Sequence, residues 1–591
     1  MLFKKFGFLF PVAIVVVAVY LASSYKHDAR QETPVSKPVT QKIQFKSDVS
    51  GSGGMVSTAS QYATQVGVDI LKNGGNAIDA AVAIGFALAV TYPQAGNIGG
   101  GGFMVIRTKD TIISVDYREK APAASTRNMF LDPSGNFVPE KSQIGHLSCG
   151  VPGSVAGLLY ALDKYGTMSR DAVIDPAISL AENGFSVESR FAESLNSNAE
   201  TFKKYESTRK IFTKDGSSYY EGEIFRQIEL SNTLKAIKIS GRDGFYSGIN
   251  ADLLEQEMLR GAGLITKKDL LDYQPVERRV VHTNYKGYDV YSMAPPSSGG
   301  IALIQLLNMI EHESLPDTSW KFFANLYRAN YIHVAAECMK MVYADRSEYL
   351  GDPDFWKVPA SELISKKYAL HRWKQVTNKA ILPEDIKPGL TEFREESKET
   401  THYSVIDKDG NMVSVTTTLN NTYGSYVVVD GAGFLLNDEM DDFASKPGEP
   451  NMFGLIGSDA NAIEPGKRML SSMTPTIILK DGKPFMILGS PGGGKIITTV
   501  FQVILNVIDF GFPLNEAVDL PRYHHQWQPD FIQYEKGAIL NDEVFNNLIS
   551  IGYTLKEVPE FGRVDAILID WDKHMYYGHS DRRGYGLALG F

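Results

Sequence analysis

Thr400-Thr401-His402-Tyr403 stands where the chain changes character, and the reading of its surroundings decides the fold. Upstream, Glu392-Phe393-Arg394-Glu395-Glu396-Ser397-Lys398-Glu399 is a charged run expected to lie in solvent. Downstream, Tyr403 and Val405 lead to an Asp409-Gly410 turn and then to residues 412–419, a pattern of alternating and β-branched residues that predicts a β-hairpin. A threonine between an exposed linker and a buried strand becomes a new amino terminus if the chain is cut before it. Its own α-amine can then serve as base for its hydroxyl, the arrangement of an N-terminal nucleophile. The plainer reading is a strand that begins with threonines because Thr is β-branched. These four residues leave both open.

Further out, 476–479 and 485–488 flank an Asp481-Gly482 turn, and 566–570 and 575–578 flank Asp572-Lys573, predicting two more hairpins. Residues 495–510 read as an apolar helix that starts directly after a glycine run. In the first half, 57–72 and 76–90 read as helices broken at Asn73-Gly74-Gly75, the second so rich in alanine that it should be buried all round. Strands are expected at 103–106 and 112–117. From about 150 to 380 the pattern is mainly helical, with examples at 154–165, 172–183 and 320–343. Antiparallel strands inside and helices outside predict an α/β (α+β) layered sandwich built from both segments.

With 591 residues, 43% of them hydrophobic, the chain can bury a large core, and its net charge of −10 argues against nucleic acid as a partner. Lys4-Lys5, an apolar run from Phe6 to Ala22 and the small residues Ala22 and Ser24 predict export, with 1–24 as a signal peptide or an uncleaved anchor in the inner membrane (residues 6–24). Residues 25–46 would be a flexible tether. Cys149 and Cys338 are too few for a disulfide framework and are expected to be buried and free.

Several stretches carry more than one reading. Gly489-Ser490-Pro491-Gly492-Gly493-Gly494-Lys495 has the front of a phosphate-binding loop, but Ile496 stands where Ser or Thr must meet magnesium, and Pro491 removes an N–H donor. A glycine turn at a helix start also suits an oxyanion hole, or simply a bend that needs positive φ. Asn437-Asp438-Glu439-Met440-Asp441-Asp442 reads by default as a solvated acidic loop, with a site for a substrate ammonium group as the sharper alternative. No EF-hand spacing follows it. His524-His525 lacks the company of a metal site and is expected to be structural. Pro152 stands where a Gly-x-Ser-x-Gly elbow around Ser154 needs its first glycine.

Taken together, the motifs at 97–103 (NIGGGGF), 116–121 (DYREKA), 344–355 (ADRSEYLGDPDF), 400–403 (TTHY), 440–443 (MDDF), 470–473 (LSSM) and 490–493 (SPGG) resemble those of the γ-glutamyltranspeptidases, over about residues 50–591. The resemblance implies an N-terminal-nucleophile hydrolase with a four-layer αββα core. It implies a zymogen that cuts itself between Glu399 and Thr400, leaving a large subunit (47–399) and a small one (400–591) as a heterodimer. Thr400 would be the nucleophile, oriented by Thr418, with Gly492 and Gly493 holding the oxyanion. Arg118, Ser471 and Ser472 would take the α-carboxylate of a γ-glutamyl group, and Asn420, Glu439 and Asp442 its α-ammonium.

Glutathione is the donor that the resemblance implies, with water, amino acids or dipeptides as acceptors. It calls for no metal and no organic cofactor, and it suits a periplasmic location. In the lid expected after Phe443, this chain has Phe453 where related bacterial enzymes often have tyrosine. Gly494-Lys495 replaces the more usual Ser/Thr-Arg. The rivals are a cephalosporin or glutaryl acylase of the same superfamily and an exported binding protein that is never cut.

Overall fold

Two seven-stranded sheets form the centre of the computed structural model, which describes residues 45–214, 217–313, 329–389, 400–446, 458–536 and 542–591. The first sheet runs, in spatial order, Leu587–Gly590, Gly54–Thr58, Thr401–Asp407, Met412–Thr418, Gly101–Arg107, Ile112–Tyr117 and Val276–Arg278. The second runs Val49–Gly51, Met575–Ser580, Asp565–Asp570, Lys483–Leu488, Thr476–Lys480, Tyr288–Ser292 and Val281–Tyr285. Both sheets therefore interleave strands from before and after residue 400, and every strand pair in them is antiparallel.

Side chains alternate across these strands, and the alternation defines the layers. Tyr403, Val405, Val413 and Val415 face outward and pack with the helices Gln61–Lys72, Ala77–Thr91, Ser154–Tyr165 and Arg170–Asn183. Their neighbours Ile406 and Met412 face inward, where with Met55 and Val105 they meet Ile477, Leu479, Ile487 and Ile567 of the second sheet. The far face of the second sheet, through Val290, Ile478, Met486 and Leu488, packs on Gly299–Ile310, Ala329–Tyr349 and Lys495–Ile508. The order helix, sheet, sheet, helix is the αββα sandwich.

All three hairpins occur as expected. Asp409-Gly410, Asp481-Gly482 and Asp572-Lys573 close them, with φ of +78° at Gly410 and +74° at Gly482. The buried alanine-rich helix begins at Ala77 because Asn76 caps it: its side chain accepts from the N–H groups of Ile78 and Asp79, while Asp79 reaches back to the Asn76 N–H. The helix expected over 57–72 is a correction. Gly54–Thr58 is a strand, wedged between Leu587–Gly590 and Thr401–Asp407, and the helix starts only at Gln61. Sheet pairing to distant segments overrides the local helical pattern there.

Two other helices shift at their ends: 172–183 begins at Arg170, and 495–510 stops at Ile508. The helix expected at 320–343 is described over Ala329–Tyr349. Cys149 and Cys338 are buried free thiols. The signal or anchor, the charged run 392–399 and Phe453 lie outside the described residues, as does the tether except for its last residues. There, Asn515 Nδ2 donates to the Lys46 carbonyl at 2.8 Å, so the end of the tether is held rather than loose.

Candidate active site

Thr400 immediately precedes the strand Thr401–Asp407, and it is 3% exposed. The antiparallel register sets Thr401 opposite Thr417, so one step further along Thr400 faces Thr418 at the end of the next strand. By alternation both side chains project between the sheets. Thr418 Oγ1 accepts the Asn420 N–H at 2.7 Å, which leaves its own hydroxyl proton to donate elsewhere. Asn420 adopts φ of +77°, a conformation that asparagine tolerates, and its Nδ2 donates to the Asp438 carbonyl at 3.1 Å. That bond ties the strand end to the acidic stretch.

Close approach explains the glycine run. A Cβ on Gly100 would lie 2.0 Å from the Thr418 carbonyl oxygen, and one on Gly99 would lie 1.9 Å from that of Leu435. Only glycines allow this segment to pack on the strand end and on the acidic loop at once.

The acidic stretch is not solvated. Glu439–Asp442 forms one 3-10 turn, and Asp438, Glu439, Asp441 and Asp442 are all buried. Asn437 holds the turn in place: its Oδ1 accepts from the N–H groups of Gly150 and Glu439, and its Nδ2 donates to the carbonyls of Gly99 and Gly150. Burying so many carboxylates is costly without cations, and Arg118 is one that pairs with them. Its Nη1 lies 2.6 Å from Glu439 Oε2 and 3.6 Å from Glu119 Oε2, its Nη2 pairs with Asp442, and its Nε donates to the Met469 carbonyl at 3.3 Å. Burial disfavours the guanidinium charge, but Glu439, Asp442 and Glu119 outweigh it and hold the Arg118 pKa above its ordinary value.

One guanidinium cannot neutralise four or five carboxylates. Burial pushes Glu119 up to about 8, against the pull of Arg118, and pushes Asp438 and Glu439 well above the usual carboxylate range. Among the described residues, none donates a hydrogen bond to either Glu439 oxygen apart from its ion pair with Arg118. Among the described contacts, three carboxylates meet the one Arg118 guanidinium.

Ser471 and Ser472 belong to an extended stretch that pairs with Ser297 and Ser298. The Ser298 N–H and hydroxyl both donate to the Ser471 carbonyl, at 2.6 and 2.7 Å, and the Ser471 N–H donates to the Pro296 carbonyl at 3.0 Å. Gly492 (φ +128°) and Gly493 (φ +58°) turn the chain from the strand Lys483–Leu488 into the helix Lys495–Ile508. Lys495 sets its ammonium over the Phe561 ring, 4.5 Å from the centroid.

These segments border one small recess, lined by Arg118, Thr400, Thr418, Asn420, Glu439, Asp442, Ser471, Ser472, Met473, Gly493 and Ile496. Every residue singled out for chemistry borders it except Gly492, which stands next in the chain. Met473, Ile496 and the organising Asn437 were not anticipated. For Asn437 the signal was its place at the head of the acidic stretch, where a short polar side chain can bridge neighbouring backbone. His524 and His525 are elsewhere and buried, bonded to Thr498, Gln526 and the Trp527 N–H, as structural histidines should be.

The chain was compared with known proteins. It is 48% identical over 539 residues to a glutathione hydrolase proenzyme of Escherichia coli, covering 90% of this chain and 91% of that one. Among solved structures it is similar to a cephalosporin acylase from Bacillus halodurans (TM-score 0.82, 27% identity, 94% of this chain and 99% of that one). It is also similar to a γ-glutamyltranspeptidase from Helicobacter pylori (TM-score 0.54, 46% identity), whose chain is 97% covered but spans 59% of this one. The sequence profile described as Gamma-glutamyltranspeptidase matches residues 63–591, and with a threonine at a strand start, a buried arginine and a carboxylate turn around one recess, the chain belongs to that family.

Proposed function

We propose that this chain is a self-processing γ-glutamyltransferase and glutathione hydrolase with Thr400 as nucleophile. The observation that carries the reading is the recess. It sets a threonine hydroxyl beside a buried guanidinium, a pair of serine hydroxyls and buried carboxylates. A γ-glutamyl group ends in an α-carboxylate and an α-ammonium, and these are the two charges that such a lining complements.

In maturation the Thr400 hydroxyl attacks the carbonyl of residue 399. The peptide C–N bond breaks, an ester to Oγ forms, and water then releases the carboxylate and leaves a free α-amine. That amine has an ordinary pKa of about 7.7–8.0, suited to taking the Thr400 proton near neutral pH. In turnover Oγ attacks the γ-carbonyl of the donor, and the amide nitrogen leaves with a proton. The γ-glutamyl ester is then resolved by water or by the amine of an amino acid or dipeptide.

Thr418 steers the Thr400 hydroxyl, and the N–H groups of the Gly492-Gly493 turn, at the start of a helix, are aimed at the developing oxyanion. Arg118, Ser471 and Ser472 take the α-carboxylate, while Asn420, Glu439 and Asp442 take the α-ammonium. Subunits 47–399 and 400–591 stay joined because both sheets interleave their strands. The H. pylori chain spans a share of this one similar to that of residues 47–399, which supports the division. The basic and then apolar start of the chain supports export to the periplasm.

A denaturing gel with amino-terminal sequencing tests the first half: two chains are expected, the smaller beginning at Thr400. Release of nitroaniline from γ-glutamyl-p-nitroanilide, with and without glycylglycine, tests the second. The likeness to a cephalosporin acylase makes glutaryl-p-nitroanilide the necessary control, and faster turnover of that donor would favour acylase chemistry.

A further inference from the structure

We propose that Asp116 is a positioning residue that keeps Arg118 in register with Ser471 and Ser472, so that all three meet the substrate α-carboxylate. This rests on the donor reading above. Asp116 lies on the strand Ile112–Tyr117, it is fully buried, and it does not line the recess. Arg118 comes from before residue 400 and the serines from after it. The carboxylate site is therefore shared between two segments, and non-covalent contacts must set its geometry.

Asp116 reaches both segments at once. Its Oδ1 accepts the Arg118 N–H at 3.0 Å, which fixes the backbone where the strand ends. The same oxygen lies 3.3 Å from Nε of Arg468, just ahead of the serine pair. Its Oδ2 accepts from Arg278 Nε at 3.1 Å, and Arg278 forks onward to the Asp354 carboxylate at 2.8 and 2.7 Å. Arg468 is pinned in turn: its N–H donates to Asp352 Oδ2 at 2.8 Å, and its Nη2 donates to the Gln274 carbonyl at 2.8 Å.

The clasp matters because the two segments also touch directly. Arg118 Nε and Nη2 donate to the carbonyls of Met469 and Leu470 at 3.3 and 3.2 Å, and the Ala121 N–H donates to that of Lys467 at 2.8 Å. A carboxylate suits the pivot, since it only accepts and can serve donors from three segments. Arg278 and Arg468 are largely buried, so their charges need a fixed counter-ion. Asparagine at 116 would keep the bond to the Arg118 N–H but remove the charge that the two arginines share. Residues 467–470 would then shift against Arg118, and the serines that follow would move with them.

The test compares two donors that differ only in the α-carboxylate: γ-glutamyl-p-nitroanilide and 4-aminobutyryl-p-nitroanilide. Where the second is too slow to follow, L-glutamate and 4-aminobutyrate are compared as competitive inhibitors. In Asp116→Asn, kcat/KM for the γ-glutamyl donor should fall about 10- to 100-fold, the worth of a hydrogen bond to a charged group, mostly through KM. The donor without the carboxylate should change little. Equal losses on both would make Asp116 a merely structural residue, and unchanged kinetics on both would overturn the proposal as surely.

If Asp116→Asn remains uncleaved, Arg468→Gln and Asp354→Asn carry the same comparison. The first cuts the link to the serine stretch while sparing the Arg118 N–H, and the second, on an exposed carboxylate, loosens Arg278 from outside. A loss confined to the γ-glutamyl donor in either variant supports the clasp, and equal losses or none in both are fatal to it. A wild-type chain that leaves γ-glutamyl-p-nitroanilide untouched would instead sink the donor reading itself.

Discussion

Two polar regions lie on the inward face of the same strand pair, Thr401–Asp407 and Met412–Thr418, and they are built on opposite plans. Behind Thr400, His402 and Ser404 face Thr416 and Ser414 in a row that is fully buried. Ser404 Oγ spends its proton on the Asp565 carbonyl at 2.9 Å, so it accepts from His402 Nε2–H at 3.0 Å, while His402 Nδ1 accepts from Thr416 Oγ1 at 3.0 Å. The ring is neutral, with a fixed tautomer, and each bond has a donor and an acceptor in place. At the strand end, by contrast, carboxylates crowd one arginine and hold more acceptors than donors. A closed network like the first gives rigidity and asks for no ligand. The second is costly as it stands, and in the proposed function a zwitterionic donor offsets that cost.

Substitutions should separate the two regions by kind of effect. Thr400→Ala should give the largest: a single uncut chain near full length on a denaturing gel, with no activity on γ-glutamyl-p-nitroanilide. A cleaved or active variant would remove Thr400 from the mechanism. Next, Arg118→Gln leaves several buried carboxylates without their cation, and breaking such a pair costs about 3–5 kcal/mol. kcat/KM should fall by two to three orders of magnitude, about what that energy converts to. A variant with unchanged donor kinetics would show that the charged region is not a binding site.

Glu439→Gln should act less, raising the γ-glutamyl KM about tenfold, in line with about 1.5 kcal/mol for one charged hydrogen bond. Preference should move toward glutaryl-p-nitroanilide, which has no ammonium to bind. An unchanged preference would exclude Glu439 from the ammonium site.

The smallest effect should come from the closed network and should appear in stability. Burial lowers the His402 pKa to about 3, whereas an unfolded histidine titrates near 6.5. Between those values the unfolded chain binds the extra proton, so His402 costs the folded state stability as pH falls from 6.5 toward 3. His402→Gln should make the acid limb of urea denaturation shallower, by at most about 1.4 kcal/mol per pH unit. An equally steep limb would mean that the imidazole is already charged in the fold.

Much of this was legible in the chain itself. Hairpins announced themselves through Asp-Gly turns between β-branched runs, and the buried helix through its alanines and its Asn76 cap. Where the reading failed, long-range pairing had won. Residues 54–58 are flanked by a helical pattern but complete a sheet between Leu587–Gly590 and Thr401–Asp407. The acidic turn reads as solvated because a cluster of charges, with Lys446 close behind it, is usually an exposed face. Its partner, Arg118, is 324 residues away from Asp442. The family motifs name residues that the fold gathers around one recess, but they carry no sign of Asn437 as organiser.

By itself, then, the sequence determined the elements and the chemistry on offer: a threonine at a strand start, a glycine turn before a helix, paired serines and clustered carboxylates. Each of those is written in neighbouring residues, because turn preferences, alternation and capping act over a few positions. Only the tertiary structure decided which of them share a recess, and that the carboxylates outnumber their cation there. Burial and the distances between charges depend on the path of the whole chain. They alone turn what reads as an acidic surface loop into a buried wall of the recess.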